Sequence, residues 1–194
     1  MAIRVKTTWF KQIDGPKSME QQATVIASTI WRLADQAVAN ISRADFDILT
    51  AQRGFTLLAE LSVFMLHQVD RMVYGHISEN ERQTLVQHMA RRLAEIVEEN
   101  IHETLNDREF GYQAAFIDLV NERCDEYASF DFAPGQPDFG VLRCLGNHIL
   151  ERMERHDQSW IIDQIMDFEA PVMLETLTKT VRGLFPATAE PAAS

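Results

Sequence analysis

Glu99 and His102 form a Glu-x-x-His pair inside a segment with helical periodicity. Residues three apart on an α-helix lie one turn apart on the same face, so both side chains can point at a single metal ion. We therefore predict Glu99 and His102 as candidate metal ligands. We expect no organic cofactor. A bound transition metal stays possible because of this pair.

The pair resembles part of the motif of ferritin-like di-iron bundles, which use two Glu-x-x-His pairs together with a Glu from each of two other helices. This chain has one such pair, whereas His67 with Asp70 and His148 with Glu151 have the reverse order. The resemblance implies a helical bundle with oxidoreductase chemistry at a metal. The competing interpretation is a solvated helix face, because charged stripes on helices usually lie at the surface.

Helix geometry limits where the remaining ligands of such a site can come from. If two helical arms turn at 75–77, the residue level with Glu60 lies near position 92. That is about 15 Å of helical rise from His102, too far for one site. Asp45 and Asp47 lie closer to its level and are the alternative source of ligands.

Nucleophilic catalysis finds little support in the sequence. Cys124 and Cys144 fall in different predicted helices, and neither follows a Gly-rich turn or a helix start that would lower the pKa of its thiol. The chain has no Gly-x-Ser-x-Gly elbow, phosphate-binding loop or dinucleotide fingerprint. We expect two free, half-buried thiols, and the sequence leans against an enzyme without excluding one.

The net charge and the composition limit which partners and which cellular compartment we expect for the protein. Eighteen Lys and Arg against 29 Asp and Glu give the 194-residue chain a net charge of −11. Phosphate backbones and anionic membranes repel such a chain, so we expect neither nucleic acid nor a membrane as partner. Without a signal peptide, a membrane span or a disulfide framework, the protein is predicted to be cytoplasmic.

Apolar residues at helical spacing predict a long antiparallel hairpin over roughly 55–105, turned at 75–77. Its second arm opens with a capping box from Ser78 to Glu81. Two long arms joined by a short turn are expected to bury their apolar stripes against each other.

Further helices are predicted on both sides of the hairpin. They cover 18–40, 43 onward into the first arm, 108–128, 138–155, 157 to a break or kink at Pro171, and 171–183. The stretch 129–140 holds two prolines and two glycines, which exclude regular structure, while its aromatic residues predict that it packs on the bundle. The fold class is therefore all-α: a single-domain bundle of six to seven helices over 1–185, followed by a disordered tail at 186–194.

Three classes of function stay open for such a bundle. The favoured one is a non-enzymatic cytoplasmic interaction or accessory protein, with a protein partner or self-association as a homodimer through the aromatic loop 130–139. The second is a ferritin-like metal-binding bundle with Glu99 and His102 as ligands. The third is a small-ligand-binding helical domain, which requires a large apolar pocket in the bundle core.

Overall fold

The structure, a computed structural model, describes residues 17–44, 50–108, 111–133, 136–155 and 158–186. This part of the chain is an all-α bundle, as predicted. Its α-helices are α1 (Met19–Arg43), α2 (Ala51–Val73), α3 (Glu79–Leu105), α4 (Tyr112–Tyr127), α5 (Phe139–Arg152), α6 (Gln158–Asp163) and α7 (Ala170–Leu184), and a π-helical segment (Gln164–Glu169) joins the last two.

Capping boxes are present at the starts of α1 and α3, and the one at α3 was predicted. The Ser18 side chain accepts from the backbone N–H of Gln21, and the Gln21 side chain accepts from the backbone N–H of Ser18. Ser78 and Glu81 make the same exchange at the start of α3. Each exchange satisfies two backbone donors that a helix start otherwise leaves free, which fixes where α1 and α3 begin.

The start of α2 differs from the prediction of continuous helix from position 43. Thr50 has extended backbone angles (φ −135°, ψ 148°), and its side chain accepts from the N–H of Arg53, so α2 begins anew at Ala51. Gly54 falls in the first turn of α2, and no break occurs there. Asp45 and Asp47 lie outside the described residues.

The central element of the bundle is α2. Every residue from Leu57 to Val69 except Ala59 is buried, and α2 contacts α1, α3, α4, α5 and α7. The two predicted hairpin arms do touch, and Asp70 of α2 pairs with Arg82 of α3. However, α3 packs more extensively on α1 than on its hairpin partner α2. The helix that touches most of the others is α2.

The connection between α4 and α5 is short and packed. Phe132–Ala133 and Gln136–Pro137 form a two-residue antiparallel pairing, so the prediction that 129–140 excludes regular structure is wrong at these residues. Phe130 lies against Gly140, where an added Cβ would stand 2.6 Å from the Phe130 ring. A side chain at position 140 would therefore push Phe130 away. The predicted packing of the aromatic loop is seen at Phe130 but is wrong for Phe139, which is 67% exposed.

No helix end separates α6 from α7 at Pro171. The chain passes through the π-helical segment, in which the N–H of Ala170 donates to the carbonyl of Ile165, and Pro171 falls in the first turn of α7. Proline lacks an N–H and its ring crowds the carbonyl four residues earlier. Bonds from i to i+5 loosen the turn just before it, so the irregularity expected at Pro171 takes the form of a π turn.

Helices α5 and α6 approach closely at Gly146. A Cβ built on this glycine would lie 3.1 Å from Cγ2 of Ile162, so a larger residue would require the Ile162 side chain to shift. At the end of the π-helical segment, the buried Glu169 carboxylate accepts hydrogen bonds from Nδ2 of Asn40 at 3.1 Å and from Nε2 of Gln164 at 3.0 Å. These contacts fix the path of the chain from α6 to α7.

Across the described residues, no helix combines the length and the apolar character that crossing a bilayer requires.

Candidate metal centre

Helices α4 and α5 bring three metal-ligating side chains together. Glu126 stands in the last turn of α4, and Cys144 and His148 stand four residues apart on α5. Side chains at this spacing share one helix face, so both reach toward the end of α4. Among the described residues, these are the one set of three His, Cys, Asp or Glu side chains whose ligand atoms all lie within 4.8 Å of one another.

The three side chains are in direct contact, and Glu126 uses one carboxylate oxygen for each partner. Nε2 of His148 is 2.7 Å from Oε2 of Glu126 and 3.5 Å from Sγ of Cys144. The Cys144 thiol donates to Oε1 of Glu126 at 3.2 Å. Nδ1 of His148 is buried and has no hydrogen-bond partner in the structure, so Nε2 is the nitrogen through which the ring is held.

This arrangement is not that of a Cys-His-carboxylate catalytic triad. In a triad the base contacts the nucleophile through one ring nitrogen and the carboxylate through the other. Here the thiol and the carboxylate both converge on Nε2 of His148, and Nδ1 has neither as a partner. Three ligand atoms that converge on one point match the demands of a bound cation better than those of a proton relay.

The spacing of the atoms is close to what a tetrahedral ion needs. Bonds of about 2.3 Å to sulfur and about 2.0 Å to nitrogen and oxygen separate neighbouring ligand atoms by roughly 3.3 to 3.6 Å. Sγ of Cys144 lies 3.5 Å from Nε2 of His148 and 3.2 Å from Oε1 of Glu126, both close to that range, although the oxygen that contacts His148 is the other one, Oε2. The contact between His148 and Glu126 is shorter, so Glu126, whose side chain is 42% exposed, would have to rotate outward to admit the ion.

The pKa shifts of the cluster indicate that, without an ion, the Cys144 thiol keeps its proton and donates it in a hydrogen bond to Glu126. Burial, followed by the hydrogen bond to Glu126, raises the pKa of the Cys144 thiol to about 12. Burial also raises the pKa of Glu126, but the hydrogen bonds from Cys144 and His148 outweigh it and lower that pKa overall. Cys144 is thus a neutral thiol at pH 7, and an ion bound there must displace its proton.

A buried ion pair lies directly behind the cluster. Arg123 donates from Nε and Nη2 to the two carboxylate oxygens of Glu60, at 2.9 and 3.0 Å, and both side chains are at most 5% exposed. Nη1 of Arg123 also lies 3.7 Å from Oε2 of Glu126. The pair joins α2 to α4 and holds a positive charge near Glu126, which partly offsets the charge of that carboxylate.

The predicted ligands Glu99 and His102 lie elsewhere, on α3. Glu99 is 63% exposed, and Nη1 of Arg92 is 3.8 Å from its carboxylate. The His102 ring packs edge-on against Tyr112, and its Nε2 is buried without a hydrogen-bond partner in the structure. No third ligand atom joins the two among the described residues, and Asp45 and Asp47 lie outside these, so this site stays a prediction.

The sequence carried one overlooked sign of the cluster on α5. Cys144-x-x-x-His148 is a pair at i and i+4 on a predicted helix, and this spacing presents two ligands on one face just as Glu-x-x-His does. His148 lies near the surface of the bundle, with its side chain 14% exposed and bonded to Glu126. The contribution of Glu126 could not be read from the sequence, because it depends on how the end of α4 meets α5.

Surface grooves, rather than a core cavity, are found in the described part of the chain. A groove of about 520 Å³ runs between α3 and α4, and one of about 300 Å³ lies between the end of α1 and the start of α2. The larger groove mixes apolar residues such as Ala90 and Ile117 with polar ones such as Arg91 and Gln113. Neither is the large apolar pocket on which the small-ligand interpretation depends.

The fold and the site define an acidic all-α bundle with a candidate metal centre between two of its helices. Comparisons with protein families, with curated proteins and with solved structures find no match for this chain.

Proposed function

We propose that this protein is a metal-binding helical bundle whose ion is held by Glu126, Cys144 and His148. The observation that supports this most directly is the convergence of one sulfur, one imidazole nitrogen and one carboxylate oxygen within 4.8 Å. The sequence also suggested a metal-binding function, with Glu99 and His102 as ligands. The present proposal has the same function but assigns it to different ligands.

The chemistry of the ligand set selects the class of metal. Thiolate and imidazole together favour Zn²⁺ and other borderline-soft transition ions over Mg²⁺ and Ca²⁺, which prefer oxygen ligands. Thiolate and carboxylate charges balance the two charges of the ion. Three protein ligands leave a fourth position for water or another ligand, as in zinc sites that are not purely structural.

Titration with Co²⁺ tests the proposal, because this ion takes zinc sites and reports on their ligands. We expect one equivalent to bind with the visible absorption of a tetrahedral site and a near-ultraviolet band from sulfur-to-cobalt charge transfer. Stoichiometric Zn²⁺ should abolish both. The Cys144→Ser variant should lose the charge-transfer band, and His148→Ala should weaken binding at least tenfold.

Two matched variants separate this site from its alternatives. Cys124→Ser removes the other half-buried thiol, 20 positions away in sequence, and should leave the spectrum unchanged. His102→Ala should also leave it unchanged. Loss of binding in His102→Ala with retention in Cys144→Ser would assign the metal to α3 instead. Absence of stoichiometric binding in the parent protein would contradict the metal function altogether.

A cytoplasmic interaction protein is the second candidate, and both functions can belong to one chain. The observation that favours it is a row of exposed apolar side chains along α6 and α7. The net charge of −11 continues to argue against nucleic acid and anionic membranes as partners.

A further inference from the structure

Three large apolar side chains form an exposed row on the face of α6, the π-helical segment and α7 that points away from the bundle. Trp160, Phe168 and Val172 are 69%, 62% and 60% exposed, and we call them the apolar stripe. Single exposed apolar residues are ordinary, but an aligned row that includes Trp is typical of a binding surface. We propose that the apolar stripe binds an amphipathic helix of another protein that carries basic residues along one edge.

The π-helical segment keeps the stripe straight. Positions 160, 164, 168 and 172 are four apart, and in an α-helix each such step turns about 40° around the axis because four residues exceed one turn. Over three steps the row would wind roughly a third of the way round the helix. The wider π turn at Gln164–Glu169 takes up part of this rotation, so Trp160 and Val172 stay on the solvent side.

One edge of the stripe is acidic. Asp163, Asp167 and Glu175 follow at multiples of four on the neighbouring row of the same helix, and all three are exposed. Glu175 is already paired with Lys179, which lies at the far end of the row. The two aspartates stand beside Trp160 and Phe168, where they would meet a basic side chain of any helix packed on the stripe.

The length of the stripe matches one helix laid along it. From Trp160 to Val172 the rise is about 18 Å, which corresponds to roughly three turns of a partner helix. Helix-on-helix recognition of this kind uses two or three apolar anchors at i, i+4 and i+7, while flanking charges set the orientation. The acidic edge therefore selects Lys or Arg at the flank of the partner.

Charge also decides against two other occupants. A second copy packed two-fold on the same stripe would bring Asp163 and Asp167 of both copies to one interface, where like charges repel without a cation between them. An anionic membrane would be repelled by the same edge, although Trp and Phe are common at membrane surfaces. A basic helix is the occupant that satisfies both the apolar row and the carboxylates.

The test uses two labelled synthetic helices of 18 residues with the same leucine face, one flanked by lysine and the other by glutamate. We expect the lysine peptide to bind the full-length protein at least tenfold more tightly than the glutamate peptide, by fluorescence anisotropy. Phe168→Ser should weaken that binding at least tenfold. The double variant Asp163→Asn/Asp167→Asn should weaken it several-fold and flatten its salt dependence.

Phe139→Ser is the matched control, because Phe139 is equally exposed, at 67%, but begins α5 rather than lying on the stripe. It should bind as the parent does. Equal losses in Phe139→Ser and Phe168→Ser, or no loss in Phe168→Ser with an unchanged helical spectrum, would overturn the proposal. So would a parent dimer that Phe168→Ser converts to monomer, because a second copy would then cover the stripe.

Discussion

Arg123 and Glu60 form a two-bonded ion pair in the interior of the bundle, 63 residues apart in the chain. Each carboxylate oxygen of Glu60 accepts one of the paired guanidinium hydrogen bonds, which is the strongest geometry available to the two groups. The pair fixes α4 on the central helix α2. Glu126 follows three residues later, less than one helical turn along α4, so the pair also sets where the backbone of Glu126 lies.

The two halves of this pair are not equivalent, and substitutions should show it. Arg123→Met leaves Glu60, which is 1% exposed, with Arg152 3.8 Å away as its remaining cation. We expect a loss of about 3–5 kcal/mol of unfolding free energy, as for other buried pairs that lose one partner. Glu60→Gln should cost less, because Arg123 keeps Glu122 at 2.7 Å.

Urea unfolding followed by circular dichroism measures both changes. The double variant Glu60→Leu/Arg123→Met is the control, since it removes both charges together and should recover most of the loss. Equal costs for the two single variants, or a double variant that is as unstable as Arg123→Met, would contradict the assignment of the penalty to an unpaired buried carboxylate.

His67 should make the stability of the protein depend on pH. Burial lowers the pKa of His67 from 6.5 to about 4, with Asp70 opposing and Arg71 adding to the shift. The folded state therefore keeps this ring neutral, whereas the unfolded chain takes up a proton below about pH 6.5. Its contribution to stability is fully present above pH 6.5 and is lost as the pH falls to 4, by at most about 3 kcal/mol.

Unfolding free energies at pH 7, 6, 5 and 4 test this dependence. The His67→Gln variant should be less stable at pH 7 but should lose less stability between pH 6.5 and 4 than the parent. His76→Gln serves as the control, because His76 is exposed in the turn after α2 and should leave the slope unchanged. A His67→Gln slope equal to that of the parent would remove His67 as the cause.

The C-terminal tail should be dispensable for stability. The bundle was predicted to end at 185, and α7 ends at Leu184 with Pro186 as the last described residue. Residues 187–194 lie outside the described part, and their sequence has no apolar pattern. Removal of 186–194 should therefore change the melting temperature by no more than a few degrees in calorimetry. A larger decrease would mean that the tail packs on the bundle.

Self-association as a homodimer stays a prediction, with the loop 130–139 as its contact. The exposed ring of Phe139 at the start of α5 supports that location. Light scattering at tens of micromolar should give twice the chain mass for the parent and a monomer for Phe139→Ser. A parent that is monomeric at this concentration, or a dimer unaffected by Phe139→Ser, would contradict the prediction.

Local patterns predicted the helices well where each residue's environment is set by its neighbours in sequence. The capping boxes at Ser18 and Ser78 fixed two helix starts, because the bonds that define them span three residues. At Thr50 the signal is weaker, because Arg53 stands where a capping box needs Glu or Gln, and the apolar periodicity around it outweighed it. The π turn before Pro171 could not be predicted, because an α-helical turn and a π turn share the same apolar spacing over so few residues.

The candidate site lay beyond local patterns for a different reason. Glu99 and His102 were chosen because their spacing on one helix is sufficient to define a motif. The cluster in the structure needs Glu126 from α4, 18 residues before Cys144, and a turn between them that brings the helices together. Only tertiary packing can bring a ligand from another helix. A spacing rule applied within α5 can therefore find Cys144 and His148 but not Glu126.

The close approach at Gly146 connects α5, which carries two of the proposed metal ligands, with α6, where the apolar stripe begins. Gly146 lies midway between Cys144 and His148, and Ile162, which it touches, lies two residues from Trp160. An ion that draws Cys144 and His148 together could reach the stripe through this contact, if it shifts this turn of α5 against Ile162. In that case thermodynamic linkage would make the effect reciprocal. If the ion changes the affinity of the protein for a partner helix by some factor, the helix changes its affinity for the ion by the same factor.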